Sequence, residues 1–354
     1  MRETLAEWRP AVDDAIEAVL PREIDVDYLE SYFGEATYEY DPEGIQRALA
    51  DPIWDLLDRG GKRWRAVLFL VLVEAFGEDP ERFLPYSTIP EILHNGTIIV
   101  DDVEDEAETR RGEPALHHQF GQDIALNAGN AMYFLPLKII THNPADLPPE
   151  RRLAAYEMLM YELNRTHLGQ GMDICWHNER EVRIDSEQYL EMCACKTGCL
   201  GRIVARLAAI VTGQSASVEE RVAAYAETVA IAFQIGDDVL DVEHSLGRAG
   251  DFGKAFGNDI REGKKTLLVL RAIEESDPAD AERLAGIIAA ETNTDDEIHE
   301  ALSIIEFSGA IEYARNRAAE LSAEAIEHVD ELGIDPESAD RLRSFASFVV
   351  ERDI

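Results

Sequence analysis

The sequence predicts an all-α fold, a single large helical bundle, and three observations predict it. Long segments carry apolar residues at helical spacing, and convincing alternating strands do not occur. Gly and Pro punctuate the 354 residues without a long linker, a low-complexity tract or a fixed-period repeat. Segments 4–20, 45–57, 63–77, 87–104, 122–141, 149–176, 186–212, 217–244, 264–275, 280–290, 310–331 and 337–352 read as the helices. Several central ones are apolar nearly all round, as the inner helices of a large bundle must be. Residues 1–42, running into YEYDPEG, read as an N-terminal helical lead-in, and 43–354 as one domain.

The chain carries 33 Lys+Arg against 71 Asp+Glu, a formal net charge of −38. Such a surface repels nucleic acid and anionic lipid, which argues against both as partners. With 46% hydrophobic residues the acid excess is no disorder signature. It reads as a soluble, halophilic protein, since concentrated salt screens most of the self-repulsion. The lysines are Lys62, Lys138, Lys196, Lys254, Lys264 and Lys265; nearly every other cation is Arg. A chain that avoids lysine so strongly retains it where a compact ammonium is needed. Cys175, Cys193, Cys195 and Cys199 lack the paired spacing of a zinc ribbon and read as small packing residues, reduced as in a cytoplasm. The N-terminal stretch has no signal-peptide core, and the longest apolar run, AVLFLVLVEAFG (66–77), is too short to span a bilayer.

In chain order, the first site element is DRGGKRWRAVL (58–68). Lys62, Arg63 and Arg65 follow a Gly-Gly turn at a helix start, where amide donors, the helix dipole and cations together make an anion site. The spacing is not that of a nucleotide P-loop. Next comes IIVDDVEDEAETRRGEP (98–114). Asp101 and Asp105 share a helix face, with Asp102 about 100° away, and His94 lies two turns back on the same side. Carboxylates crowded at the mouth of a buried helix need a counter-charge, or one protonates. Mg²⁺ resolves that conflict, taking one or two carboxylates and leaving its other positions for water and phosphate oxygens. Arg110 and Arg111 then hold the anion that the metal also holds.

A lone D-D-x-x-D would also suit a solvated helix end, but AIAFQIGDDVLDV (230–242) repeats it with Asp237, Asp238 and Asp241. Two such clusters facing each other across a bundle would clamp one diphosphate through several Mg²⁺ ions and stabilise charge on a departing group. Lys196 and Thr197 lie mid-helix in CACKTGC, where burying a lone ammonium is costly. Gln234 shares a face with Asp237. Lys254 and Lys264 lie in GKAFGNDIREGKKT, a glycine-broken stretch suited to folding over a bound diphosphate and excluding water.

Together these residues resemble the trans-type isoprenyl diphosphate synthases, the family of farnesyl and geranylgeranyl diphosphate synthases. The resemblance covers about 58–330 and rests on GGKRWR, EILHNGTIIVDDVEDEAETRRGEPALHHQFG, NAGNAMYF, GQGMDICW, KTG, FQIGDDVLDV and GKAFGNDIREGKKT, in family order. The block at 91–120 and GQGMDICW look most like geranylgeranyl diphosphate synthases. The resemblance implies an all-α isoprenoid-synthase bundle with a central cavity, usually a homodimer. It implies a Mg²⁺-dependent condensation of isopentenyl diphosphate with an allylic diphosphate, with three metal ions per site. Asp101, Asp105 and Asp237 would be direct ligands, and Asp102, Asp238 and Asp241 would belong to the metal clusters or stand just behind them. Lys62, Arg65, His94 and Arg111 would hold isopentenyl diphosphate. Arg110, Lys196, Thr197, Gln234, Lys254 and Lys264 would hold the allylic diphosphate, Lys196 joining Asp101, Asp105 and Asp237 in the catalytic set, with Gln170 and Asp173 beside them. Ala66 stands where the family often has Pro, and FVVERDI lacks the basic tail that closes some farnesyl synthases.

In the family the growing hydrocarbon runs along the helix of the first cluster, past the residues four and five before Asp101. Bulky aromatics there stop elongation at C15. Here they are Thr97 and Gly96, so the expected product is C20 or longer, with Leu93, Met132, Tyr133 or Phe134 as a deeper floor. A class I terpene cyclase, a head-to-head synthase and a non-catalytic partner subunit are the rival readings; DDVLD together with GGKRWR, and the retention of both acid clusters, argue against them.

Overall fold

The computed structural model describes residues 2–179, 184–248 and 256–350. Among them the strands are Thr109–Arg110 and Glu113–Pro114, one two-stranded antiparallel hairpin; the other regular elements are helical. Among the described residues no helix is long and apolar enough to cross a membrane. The chain divides into two compact units, residues 2–156 and 157–354.

The first unit is built on two central helices. Trp64–Ala75 is apolar all round, and residues 65–73 are buried without a break. Pro80–Glu104 packs on it and ends in the first acid cluster. Its start is set by Asp79, whose side chain accepts from the Glu81 amide at 3.0 Å, and by Pro80, which needs no donor in the first turn. The sequence expectation began this helix at 87; it starts seven residues earlier and carries Pro85 and Pro90 inside it. The helix Gln122–Phe134 crosses it where both chains have glycine. A side-chain carbon on Gly96 would lie 2.8 Å from Met132 Cβ and 3.0 Å from the Gly129 carbonyl, and one on Gly129 would lie 2.8 Å from Val100 Cγ2. The expected segment 122–141 is two helices, Gln122–Phe134 and Leu137–His142, with Pro136 between them. The N-terminal helix Arg2–Val19 belongs to this core, burying Val12 and Ile16 against the two central helices.

The second unit is organised by Ala216–Ser245, the helix of the second acid cluster, capped by Ser215 accepting from the Val218 amide. Cys199–Thr212 packs along it so closely that a side-chain carbon on Gly201 would lie 2.5 Å from the Ala226 carbonyl. Upstream, Ser186–Cys193 runs into a wider, π-helical turn, Ala194–Gly198, before Cys199–Thr212 continues. Glu162 is fully buried, and Arg202 and Arg206 donate to it at 2.9 and 2.8 Å. Among the helices that escaped the periodicity reading are Val26–Phe33, Leu116–Phe120, Asn258–Arg261 and Asp295–Phe307. The last carries a readable signature, the Thr294/Glu297 capping box. Cys193, Cys195 and Cys199 are buried thiols, while Cys175 is exposed.

Candidate active site

In the first unit the basic loop and the Arg-Arg hairpin form one cationic cluster. Gly60 and Gly61 take φ of 103° and 138°, and Arg63 takes a left-handed φ of 52° as the chain enters Trp64–Ala75. The hairpin pairs Thr109 with Pro114 and Arg110 with Glu113, so Arg111 (φ 54°) and Gly112 (φ 80°) make its two-residue turn. Arg111 is held in that unfavourable conformation by its own side chain, which donates to Leu56 O at 3.0 Å, Gly60 O at 2.6 Å and Asn95 Oδ1 at 3.1 Å. Arg59 ties the same parts together, donating to the carbonyls of Arg110 and Pro114. Arg63 is 4% exposed and pairs with Asp13 at 2.7 Å and Glu91 at 3.7 Å, which makes it a buried strut.

His94 sits where these cations converge. Burial is the main cause that pulls its imidazole well below the usual histidine range, and Arg65, Arg111, Arg110 and Arg63 add to it, so the ring is neutral at pH 7. Its buried Nδ1 finds no hydrogen-bond partner among the described residues. Burial, then Arg63, also brings the Arg111 guanidinium down to about 10, against the pull of Glu91. Crowded like charges and an orphaned ring nitrogen make this region short of an anion. Arg65 is buried with its guanidinium over the Trp64 ring, and Lys62 is exposed beside it.

At the end of Pro80–Glu104 the carboxylates differ in exposure. Asp101 and Asp105 are half-buried; Asp102 is buried. Burial raises the Asp102 carboxyl, and Arg110 works against that shift by donating from Nε to both oxygens, at 2.8 and 3.1 Å. The structure therefore brings Arg110 to Asp102, a pairing the spacing did not reveal. Thr97 is half-buried, its hydroxyl donating to the His94 carbonyl. Gly96 needs correction. It was expected to line an open path, yet it faces Gly129 and Met132 at a helix crossing with no room for a side chain.

In the second unit Lys196 and Thr197 lie on the π-helical turn, an irregularity common at functional sites. Lys196 Nζ pairs with Asp173 Oδ2 at 2.6 Å. The approach is permitted by Gly169, where a side-chain carbon would lie 2.4 Å from the Lys196 amide. Gln234 joins the turn to the acid cluster: Thr197 Oγ1 donates to its Oε1 at 3.3 Å, and its Nε2 donates to Asp238 Oδ1 at 3.0 Å. Asp237 is half-buried; Asp238 and Asp241 are buried, Asp241 Oδ2 accepting from the Asp259 amide at 3.3 Å. Lys264 pairs with Glu262 at 2.6 Å. Lys254 lies outside the described residues. Lys265 is a strut, its ammonium donating to the carbonyls of Trp176 and Glu179 at the end of Pro149–Asn178. Tyr189, whose hydroxyl donates to Asp238, and Arg59, which also pairs with Asp55 one turn back, were missed; Asp238 and the Arg110 and Pro114 carbonyls lie far away in sequence, where no local pattern marks them.

The donor set suits a hard divalent cation. Each cluster offers carboxylate oxygens, and among the described residues no three of Asp, Glu, His or Cys gather at one metal position.

Residues 46–305 match the Polyprenyl synthetase family. The chain is 35% identical over 319 residues to a geranylgeranyl pyrophosphate synthase of Geoglobus acetivorans, covering 90% of this chain and 94% of that one. It is 32% identical to a geranylfarnesyl diphosphate synthase of Aeropyrum pernix, covering 84% and 92%. Its fold matches the crystal structure of geranylgeranyl pyrophosphate synthetase from Pyrococcus horikoshii with a TM-score of 0.82 at 28% identity, over 99% of this chain and 98% of that one.

Proposed function

Because the chain belongs to the polyprenyl synthetase family and is a trans-prenyltransferase, we propose that it condenses isopentenyl diphosphate with an allylic diphosphate to make geranylgeranyl diphosphate. The observation that carries this reading is the convergence of Arg63, Arg65, Arg110 and Arg111 on a neutral His94. Lys62, Arg65, His94 and Arg111 hold the diphosphate of isopentenyl diphosphate, whose negative charge relieves their mutual repulsion. Neutral His94 offers it a hydrogen bond without adding to the positive charge.

On the allylic side, Lys196, Thr197, Gln234, Lys254 and Lys264 grip the departing diphosphate, and Arg110 borders it while neutralising Asp102. Asp173 aims the Lys196 ammonium. Asp101, Asp105 and Asp237 would hold Mg²⁺, three ions per site, with Asp102, Asp238 and Asp241 behind them; bound there, the ions would neutralise charge on the diphosphate as it leaves. The allylic C–O bond breaks with its electron pair going to diphosphate. The double bond of isopentenyl diphosphate then attacks the allyl cation, and the proton lost passes to the released pyrophosphate. Apolar helices around the chain exclude water that would quench the cation.

Thr97, short and half-buried on the first acid helix, leaves the chain path open beyond C15. A homodimer would cover large apolar side chains exposed in each unit: Phe134 and Leu153 in the first, Met160, Tyr161 and Leu168 in the second. The acid excess supports work in concentrated salt. Steady-state kinetics of His94→Leu test the assignment: KM for isopentenyl diphosphate rises about tenfold while KM for the allylic substrate stays put, as loss of one buried hydrogen bond to a charged group requires. A loss confined to the allylic substrate overturns it.

A further inference from the structure

We infer that Tyr189 is a positioning residue for the allylic half of the site, an assignment that rests on the reading of Lys196, Thr197 and Gln234 given above. Tyr189 is 3% exposed, on the helix Ser186–Cys193, and its hydroxyl donates to Asp238 Oδ2 at 2.5 Å. The other oxygen, Asp238 Oδ1, accepts from Gln234 Nε2 at 3.0 Å. Gln234 Oε1 in turn accepts from the Thr197 hydroxyl at 3.3 Å.

These bonds form a directed chain through three elements, the Tyr189 helix, the π-helical turn and the second acid helix. An amide side chain can present either its oxygen or its nitrogen, and here the chain decides which. Asp238 accepts on both oxygens, so it fixes Gln234 with its nitrogen toward the acid and its oxygen toward Thr197. Tyr189 fixes Asp238, because a carboxylate receiving a donor on each oxygen is locked in one rotamer. Tyr189 thus sets the orientation of Thr197 and of the Lys196 turn without itself touching substrate. Asp238 accordingly serves as the anchor of the second cluster, and its half-buried neighbour Asp237 carries the outward-facing work.

Tyr189→Phe removes one oxygen and keeps the packed ring. Binding is read by calorimetry with farnesyl thiodiphosphate, which does not ionise, in the presence of Mg²⁺, alongside KM for isopentenyl diphosphate. The expected result is an affinity for the thiodiphosphate about tenfold weaker, as one lost charge-assisted hydrogen bond gives when largely transmitted, with KM for isopentenyl diphosphate within about twofold of wild type. In the Thr197→Val background the same change has little further effect, since the chain is already cut. Unchanged binding of the thiodiphosphate overturns the inference, as does equal weakening of both substrates or simple additivity with Thr197→Val. If Tyr189→Phe does not fold, Tyr189→Leu removes the same donor and must show the same split; equal loss of both substrates overturns the inference. Wild-type protein that fails to take the thiodiphosphate overturns the site reading itself, whereas wild-type binding matched by the variant overturns the role of Tyr189 alone.

Discussion

The Arg110 guanidinium grips the Asp102 carboxylate from eight residues away, across the turn into the hairpin, with Nε donating to both oxygens. Asp102 is 2% exposed and Arg110 about a third exposed, so one member of the arginine pair neutralises an acid that cannot reach water. The other, Arg111, is free of that duty and turns to the basic loop. Removing the counter-charge leaves a buried carboxylate to protonate or unfold the helix end. Arg110→Gln should therefore cost about 3 kcal/mol in urea denaturation, and Arg110→Gln with Asp102→Asn should recover part of it. Equal stability of the single variant and wild type would show that the pair is ornamental.

Asp101→Ala and Asp237→Ala should each lower turnover about a thousandfold or more while leaving the circular dichroism spectrum unchanged, since both side chains are half-buried and neither fills the core. A drop of less than about tenfold in either would remove that residue from the metal set.

The two chain-length positions should behave differently. Thr97→Phe places a ring beside the first acid helix and should shift products toward C15 in chromatographic sizing. Gly96→Phe has no space, with Met132 Cβ 2.8 Å from the first added carbon, and should cost about 3 kcal/mol or more of stability before it alters any product. A stable Gly96→Phe enzyme making C15 would restore that position to the path.

His94 gives a pH signature. Its folded pKa lies well below the ordinary histidine value, so between that value and about 6.5 the unfolded chain binds a proton that the folded chain refuses. Stability is full above about pH 6.5 and falls as the medium is acidified through that window. His94→Gln removes this loss, so its melting temperature should fall less than that of wild type between pH 7.5 and 5.5. Parallel declines would place the acid sensitivity elsewhere.

Much of this was legible in the sequence, because acid clusters, glycine turns and retained lysines are local patterns. Helical periodicity found the central helices, and the recurrence of D-D-x-x-D at 101–105 and 237–241 marked the candidate metal residues. What stayed hidden depends on contacts between distant segments. The tight seat of Gly96 is decided by Gly129 on another helix, and the role of Tyr189 by Asp238, 49 residues later. Lys265 counted as a site candidate by its scarcity, yet it caps the end of a helix. Pro80–Glu104 was begun too late, although Asp79 and Pro80 carry a local start signal.

The most direct test is to supply labelled isopentenyl diphosphate with farnesyl diphosphate and Mg²⁺ and to size the product. The account predicts label in an allylic diphosphate of C20, formed only when the primer is present. Label left unjoined to the primer, or chains that stop at C15 when geranyl diphosphate is the primer, would contradict it.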